Sequence, residues 1–256
     1  MQRPDRLLVA PIDIPAALGL LTRLPVRVDV ERARDRGPAS AWAYPLAGAL
    51  VGALAAAVAA FAGWLGLGAP LAALAALATA MIVTGALHED GLSDSADGLW
   101  GGWDAAHRLK IMKDSSIGAF GTLALIVSVG ARWAALTALI AADQATLALI
   151  ATGALSRAPL PMLMHGLPNA RETGLSTHAG RPSLATASLA AAVALILAAL
   201  TIGTATLPAA LITAFTAFAT ARIAKAKIRG QTGDILGATQ QLCEIAILAT
   251  LTAVLI

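Results

Sequence analysis

Hydrophobic residues occupy seven long runs of the sequence, and short polar or glycine- and proline-containing segments separate these runs. A membrane-spanning helix needs about 20 predominantly apolar residues, and each run comes close to that length. The pattern therefore predicts an all-α, polytopic membrane bundle of about seven transmembrane helices. The predicted spans are Trp42–Leu67, Leu71–Leu87, Ala119–Ala142, Ala145–Met164, Ser183–Ile202, Leu207–Ile223 and Ile235–Ile256.

The first 41 residues follow a different pattern, in which seven arginines, Arg3 and Arg6 among them, surround one short apolar piece, Ile14–Leu24. This piece is too short to cross a bilayer upright, and Pro25 ends it. We predict a short interfacial or re-entrant helix here. No small-residue cleavage pattern follows the early arginines, so we expect no cleaved signal peptide.

Composition agrees with a membrane protein. Of the 256 residues, 58% are hydrophobic and 13% charged, and the mean hydropathy is +0.76, which excludes an ordinary soluble domain. We expect a single integral membrane catalytic domain over residues 1–256. The lone cysteine, Cys243, rules out an intramolecular disulfide framework. The isoelectric point near 9.5 reflects basic residues beside the spans, so the expected partner is the lipid bilayer and not nucleic acid.

The distribution of Lys and Arg predicts the orientation. Sixteen of the 18 lie in four segments on one side of the seven predicted spans: 1–41, 88–118, 165–182 and 222–234. The opposite turns contain none. By the positive-inside rule these four segments of the multi-pass protein face the cytoplasm; the bacterial cytoplasmic (inner) membrane as its location is an expectation that rests on the family resemblance described below.

The segment from His88 to Gly121 holds six of the 15 carboxylates, between two long apolar runs. Charges so placed in a membrane protein indicate a functional site. Asp90, Asp94 and Asp97 follow an i, i+4, i+7 spacing, so on a helix they share one face. Because all-oxygen ligands favour a hard cation, and because Mg²⁺ often binds carboxylates together with substrate phosphate, the spacing predicts a metal–diphosphate site. The adjacent Glu89 is a further candidate ligand.

Other polar residues of this segment have two interpretations each. Arg108 and Lys113 follow the acids and suit the phosphates of a substrate. Asp114 and Ser115 are candidates either for substrate contact or for capping the next helix. His88 is a candidate general base for an attacking hydroxyl, or an interfacial hydrogen-bonding group at a helix end.

A second polar cluster lies at residues 229–244. Asp234 precedes the last span, while Gln240 and Glu244 lie within it. Polar residues at membrane depth face the bundle interior, so these three are candidates for lining a substrate pocket. Asp234 and Glu244 are also candidates for a second metal site, and the structural alternative is helix capping and interhelical hydrogen bonding. Arg132 and Arg157, inside predicted spans, either pair with buried acids or extend to the membrane surface.

Several spaced motifs resemble the cobalamin synthase family, the adenosylcobinamide-GDP ribazoletransferases, over residues 20–244. The motifs are H-x-D-G-L-x-D-x-x-D-G at His88–Gly98, M-K-D-S-S-I-G-A-F-G at Met112–Gly121, T-R-L-P at Thr22–Pro25, Tyr44-Pro45 with Gly48 and Gly52, and G-D-I-L-G-A-T-Q-Q-x-x-E at Gly233–Glu244.

The resemblance implies a late step of vitamin B12 nucleotide-loop assembly, catalysed with Mg²⁺: adenosylcobinamide-GDP and α-ribazole, or its 5′-phosphate, are joined and GMP is released. It implies that Asp90, Asp94 and Asp97 hold metal, that Arg108 and Lys113 contact phosphate, and that Arg23 and Asp234 contact substrate. Glu89 stands where the family is expected to have a neutral residue. A homo-oligomer and an association with other cobalamin-pathway enzymes stay open.

Two alternatives fit the sequence less well. The CDP-alcohol phosphotransferases also place aspartates and glycines at a membrane helix, but Asp90-Gly91 is not followed here by the rest of their pattern. An ion-coupled transporter would be expected to place its acids within spans at midplane depth, whereas the main cluster is predicted to lie in a connection between spans.

Overall fold

The computed structural model describes residues 7–174, 177 and 179–256; Arg3 and Arg6 of the arginine-rich segment lie outside these ranges. The described residues form helices and contain no β-strand, which confirms the predicted all-α class. The helices are α1 (Asp13–Leu21), α2 (Val30–Arg36), α3 (Tyr44–Trp64), α4 (Ala69–Thr84), α5 (Leu87–Gly101), α6 (Ala105–Ile111), α7 (Ala119–Ala141), α8 (Ala145–Arg157), α9 (Leu160–Gly166), α10 (Leu184–Ile202), α11 (Thr206–Ile228) and α12 (Gly233–Leu255).

Five helical stretches are long and apolar enough to cross a membrane, and a bent pair of helices passes the same test as a sixth. One of the five is a 45-residue run, Leu184–Ile228, which a break at Gly203 (φ 54°) divides into α10 and α11. An unbroken helix of that length would measure about 67 Å, twice the roughly 30 Å hydrocarbon core. Counting α10 and α11 as separate crossings brings the described chain to the seven predicted positions.

Helix α11 continues beyond the predicted end at Ile223 as far as Ile228. Its last turn carries Lys225 and Lys227. Cations there interact favourably with the negative end of the helix dipole, so the basic segment prolongs this helix instead of ending it.

The bent pair consists of α4 and α5, whose axes differ by 88°. Helix α4 ends at Thr84, before the predicted Leu87, because Gly85 and Ala86 both adopt left-handed conformations (φ 64° and 56°). The helix on which the i, i+4, i+7 spacing of the three aspartates depends is present in the acidic segment. The first part of this segment is helix α5, the second half of a broken span or re-entrant hairpin.

Helices α3 and α8 pack with their backbones in contact. A Cβ atom added to Gly48 or Gly52 would overlap the carbonyl oxygen of Gly153 or Leu149, respectively, and one added to Gly153 would overlap the carbonyl of Gly48. The predicted close packing at Gly48 and Gly52 is confirmed, and it allows dispersion contacts without large side chains.

Adding one methyl group at this crossing is expected to destabilise the bundle. Gly48→Ala should lower the free energy of unfolding by about 1–3 kcal/mol, the usual cost of overpacking, and so lower the thermal midpoint in detergent. Gly63→Ala is the matched control, since Gly63 lies in the same helix with open space around its Cβ position. A drop of equal size in both variants would contradict the close approach.

The N-terminal segment is fixed to the bundle by Asp13 at the start of α1. This fully buried carboxylate accepts hydrogen bonds from Arg36 Nε and Nη2 and from Trp42 Nε1, each at 2.7 Å. Burial alone would raise the pKa of Asp13, but these bonds and one from the Ala10 backbone N–H hold its pKa below the ordinary value. The contact ties the segment between α1 and α3 to the bundle. Arg23 of this segment lines the same cavity as Asp90 of α5.

Candidate active site

Two glycines bring the acidic helix α5 against α12. A Cβ atom on Gly91 would lie 2.8 Å from the carbonyl oxygen of Asp234, and one on Gly237 would lie 3.2 Å from the Cα of Gly91. Any larger residue would separate the two helices. The crossing therefore places Asp90 and Asp94 of α5 at the same end of the bundle as Asp234, the second residue of α12.

Two cavities meet at Asp90. The first has a volume of about 150 Å³ and is lined by His88, Asp90, Arg171 and Asp234, among others. The second, of about 490 Å³, is lined by Asp90 and Arg23 together with Thr22, Thr84 and neighbouring backbone. Four residues predicted for the site are thus gathered around one carboxylate: Arg23, His88, Asp90 and Asp234.

The carboxylates of this site differ in their partners. Asp234 accepts a hydrogen bond from Arg171 Nη1 at 3.0 Å and one from the Thr232 hydroxyl at 3.2 Å. Neither Asp90 nor Asp94 forms an ion pair with any described residue. Asp94 is half-buried and lies within electrostatic reach of Asp90, Asp234 and Arg171. Two carboxylates without a protein cation remain available for a ligand.

Asp97 is placed differently from the other two aspartates of the predicted triad. Its carboxylate accepts hydrogen bonds from the backbone N–H groups of Gly118 (2.7 Å) and Gly121 (2.9 Å), so it caps the N-terminus of α7. Within the described residues, no three His, Cys, Asp or Glu side chains converge closely enough to hold a metal ion. The predicted helix is present, but the three carboxylates do not form one free cluster on it.

The capping contact makes a prediction about local order. Asp97→Ala removes both acceptors from the α7 terminus, so the amides of Gly118 to Thr122 should exchange hydrogen for deuterium faster, while amides in the middle of α7 stay protected. Asp97→Asn, which keeps one acceptor oxygen, should give an intermediate rate. Unchanged exchange in the alanine variant would refute the cap.

Glu89, Gln240 and Glu244 do not line either cavity. They lie inside the bundle with Arg132 and Gln241, in what we term the buried polar network. Arg132 Nη1 donates to Glu89 at 3.0 Å and to Glu244 at 3.2 Å, and the two glutamines connect to these acids. The structure thus turns Glu89 away from Asp90, and Glu89, Gln240 and Glu244 serve here in interhelical bonding.

Arg132 is 1% exposed, so the first of its two predicted alternatives, pairing with buried acids, is correct. Arg157 is equally buried and donates to the carbonyl of Gly153 and to the Ser156 hydroxyl. Both partners of Arg157 lie in its own helix, and it pairs with no acid in the described residues. Gln240 Nε2 donates to the Ser156 hydroxyl at 3.1 Å, so the buried polar network connects α5, α7, α8 and α12.

The predicted phosphate-binding cations also lie outside the two cavities. Arg108 donates to the carbonyls of Lys227 (3.1 Å) and Trp103 (3.3 Å), which ties α6 to the end of α11. Lys113 and Ser115 are exposed in the loop before α7. Asp114 accepts bonds from the Ser116 hydroxyl and backbone, which lower its pKa. Neither Asp114 nor Ser115 caps α7, because Asp97 supplies those acceptors.

Two residues of the first cavity, Arg171 and Thr173, were not predicted. They lie in the loop after α9, where Ala170 N–H donates to Gln231 O (2.8 Å) and Gln231 N–H donates to Pro168 O (2.9 Å). These bonds clamp the loop beside the start of α12. Arg171 donates to Asp234, a residue 63 positions away in the sequence. The only sequence signal for this contact is the presence of an arginine in a polar loop.

The donor set fits a magnesium ion together with a phosphorylated substrate. Asp90 and Asp94, one helical turn apart, carry carboxylate oxygens that could ligate such an ion, because Mg²⁺ usually takes one or two carboxylates and completes its shell with water and phosphate oxygens. Arg171 and Arg23 lie on the two sides of Asp90 and carry guanidinium groups, which suit phosphate oxygens.

Fold and site together define a polytopic, α-helical membrane enzyme with an acidic site at one end of the bundle. The family model described as cobalamin-5-phosphate synthase matches residues 13–252. Proteins named adenosylcobinamide-GDP ribazoletransferase are similar over nearly the whole chain: that of Bradyrhizobium diazoefficiens is 43% identical (94% of this chain, 93% of the relative), and that of Mesorhizobium japonicum 46% identical (92% and 91%). The chain belongs to the cobalamin-5-phosphate synthase family. No solved structure gives a significant match.

Proposed function

We propose that this protein joins adenosylcobinamide-GDP to α-ribazole and releases GMP; its relatives are named adenosylcobinamide-GDP ribazoletransferase. The observation that carries the proposal is the position of Asp90, which has no cation partner among the described residues and forms part of the wall of two cavities, each with an arginine. Such a site suits a diphosphate on one side and an alcohol on the other.

The proposed reaction is a phosphoryl-group substitution. A ribose-ring hydroxyl oxygen of α-ribazole, one that stays free in the 5′-phosphate as well, forms a bond to the phosphorus that carries cobinamide, and the bond from that phosphorus to the bridging oxygen breaks. GMP leaves with the electron pair, while the hydroxyl proton passes to a base. Catalysis of this kind depends on positioning and charge neutralisation.

Asp90 and Asp94 are the proposed ligands of Mg²⁺, which when bound neutralises diphosphate charge. Arg171 and Arg23 are proposed to orient phosphate oxygens. Arg171 is already held by Asp234 and by the carbonyl of Leu109, so its guanidinium is fixed in direction before substrate arrives, and fixed donors contribute most to transition-state stabilisation.

His88 is the proposed proton acceptor. Its side chain is 3% exposed, lines the same cavity as Asp90, and its Nε2 atom has no hydrogen-bond partner among the described residues. A buried nitrogen without a partner is costly unless a ligand or water completes it. The reacting hydroxyl is a group that can do so.

The site is proposed to face the cytoplasm of a bacterial inner membrane, on the strength of the Lys and Arg distribution. We also propose that α-ribazole 5′-phosphate is accepted in place of α-ribazole, since the 490 Å³ cavity beside Arg23 has a cation for the additional phosphate.

The decisive experiment follows GMP release by purified protein in nanodiscs, given adenosylcobinamide-GDP with either α-ribazole or its 5′-phosphate. We expect cobamide formation with both, equal in amount to GMP, and loss of both products when EDTA replaces Mg²⁺. GMP without cobamide would indicate hydrolysis. Turnover of a CDP-alcohol donor, with none of adenosylcobinamide-GDP, would overturn the proposal.

A further inference from the structure

A second cavity system lies on the outside of the bundle, away from Asp90. It is a groove of about 710 Å³ between α8–α9, α10 and α11. The residues that line it are mainly apolar, and several of their side chains are exposed on the outside of the bundle. The exposed fractions are 42% for Leu195, 67% for Leu207, 63% for Leu211 and 63% for Phe218. Small residues such as Ala214 form part of its lining. An elongated, apolar ligand fits such a recess.

One end of the groove is basic. Arg222 and Lys225 line it there, one helical turn apart, and the guanidinium of Arg222 lies 5.9 Å from the ring centre of Phe218. Neither cation pairs with any acid in the described part of the chain, and the lining contains no acidic residue. The charge is therefore available to an anion at the mouth of the groove.

The dimensions correspond to a lipid. From Arg222 to Leu207 the groove follows 15 residues of α11, about 22 Å at 1.5 Å per residue, which exceeds one leaflet of a core about 30 Å thick. The basic end is the end of α11 next to α12 and Asp234, where most cations of the protein lie. The negative headgroup of a lipid would thus lie at the basic end of the groove, and its acyl chains would lie along the apolar walls.

We propose that this groove, which we term the α8–α11 groove, is a binding site for one anionic glycerophospholipid. Its phosphate contacts Arg222 and Lys225, and an acyl chain lies between α10 and α11. Basic recesses between membrane helices bind anionic headgroups by this combination of charge and packing. The site is independent of the proposed reaction.

Native mass spectrometry tests the proposal on the whole protein in detergent, titrated with phosphatidylglycerol or phosphatidylcholine. We expect one phosphatidylglycerol retained per chain, and about 30-fold weaker binding in the Arg222→Gln/Lys225→Gln variant. The matched control is Arg27→Gln/Arg34→Gln, which removes two exposed cations outside the groove and should bind like wild type. Equal affinity for both lipids, or equal loss in the control, overturns the site.

Two further experiments distinguish the contribution of the lipid headgroup to binding from that of the acyl chain. Ala214→Phe fills the groove without changing charge, so it should abolish retention of phosphatidylglycerol. In thermal unfolding, phosphatidylglycerol should raise the wild-type midpoint by about 5 °C or more, and inorganic phosphate should not. A shift of the same size with phosphate alone would mean a simple anion site and would refute the lipid, as would full retention by Ala214→Phe.

Discussion

Asp90→Asn is expected to reduce ribazole transfer by at least about 100-fold, because even groups that only support a metal ligand cost 10–100-fold when removed. The variant keeps the size of the side chain and loses one negative charge beside both cavities. Activity is measured as GMP release over a range of Mg²⁺ concentrations. A partial recovery at high Mg²⁺ would be expected if Asp90 binds the ion.

The control for this experiment is Asp143→Asn. Asp143 is exposed, lies between α7 and α8 with φ 57°, and is replaced by a residue that tolerates that conformation. We expect wild-type turnover from it. Activity of Asp90→Asn within a few-fold of this control would remove Asp90 from the proposed metal site, although the family assignment would stand.

Arg132→Met is expected to have the largest effect on stability. It leaves Glu89 and Glu244 buried without their shared cation, and breaking a buried ion pair in this way costs about 3–5 kcal/mol. Adding Glu89→Gln to Arg132→Met should recover part of the lost free energy of unfolding, because one uncompensated charge is then absent. The Arg132→Met/Glu89→Gln variant should therefore be destabilised by less than the sum of the two single substitutions.

Unfolding in nanodiscs, followed by a thermal midpoint or by proteolysis, measures these effects. Arg34→Met is the matched control, since this arginine is exposed, pairs with no acid in the described residues and lies outside both the proposed site and the groove. It should unfold near the wild-type temperature. Strict additivity of Arg132→Met and Glu89→Gln would show that the two side chains do not interact.

The spans were predictable because membrane helices need long apolar runs, and these dominate the sequence. The ends of the spans were harder to predict. Gly85 and Ala86 end α4 early because both adopt left-handed backbone conformations, and hydropathy contains no information about backbone conformation. The same turn begins α5, the helix that the spacing of Asp90, Asp94 and Asp97 assumes.

Parts of the site were also predictable. The Asp90 and Asp94 spacing depends only on local helical geometry, which α5 provides. Sequence could not show that Asp97 turns to the amides of α7 or that Arg171 reaches Asp234, because both contacts join distant segments. The roles of Asp90, Asp94 and His88 in metal binding and proton transfer remain predictions.

The two cavities that share Asp90 also have a kinetic consequence. One contains Arg171 and the other Arg23, so under the proposed function each substrate would enter its own cavity, and neither would have to leave before the other arrives. Both reactants then occupy the protein before any bond changes. Initial-rate plots at several fixed concentrations of the second substrate should intersect instead of running parallel, and no guanylate should be released until both substrates are present.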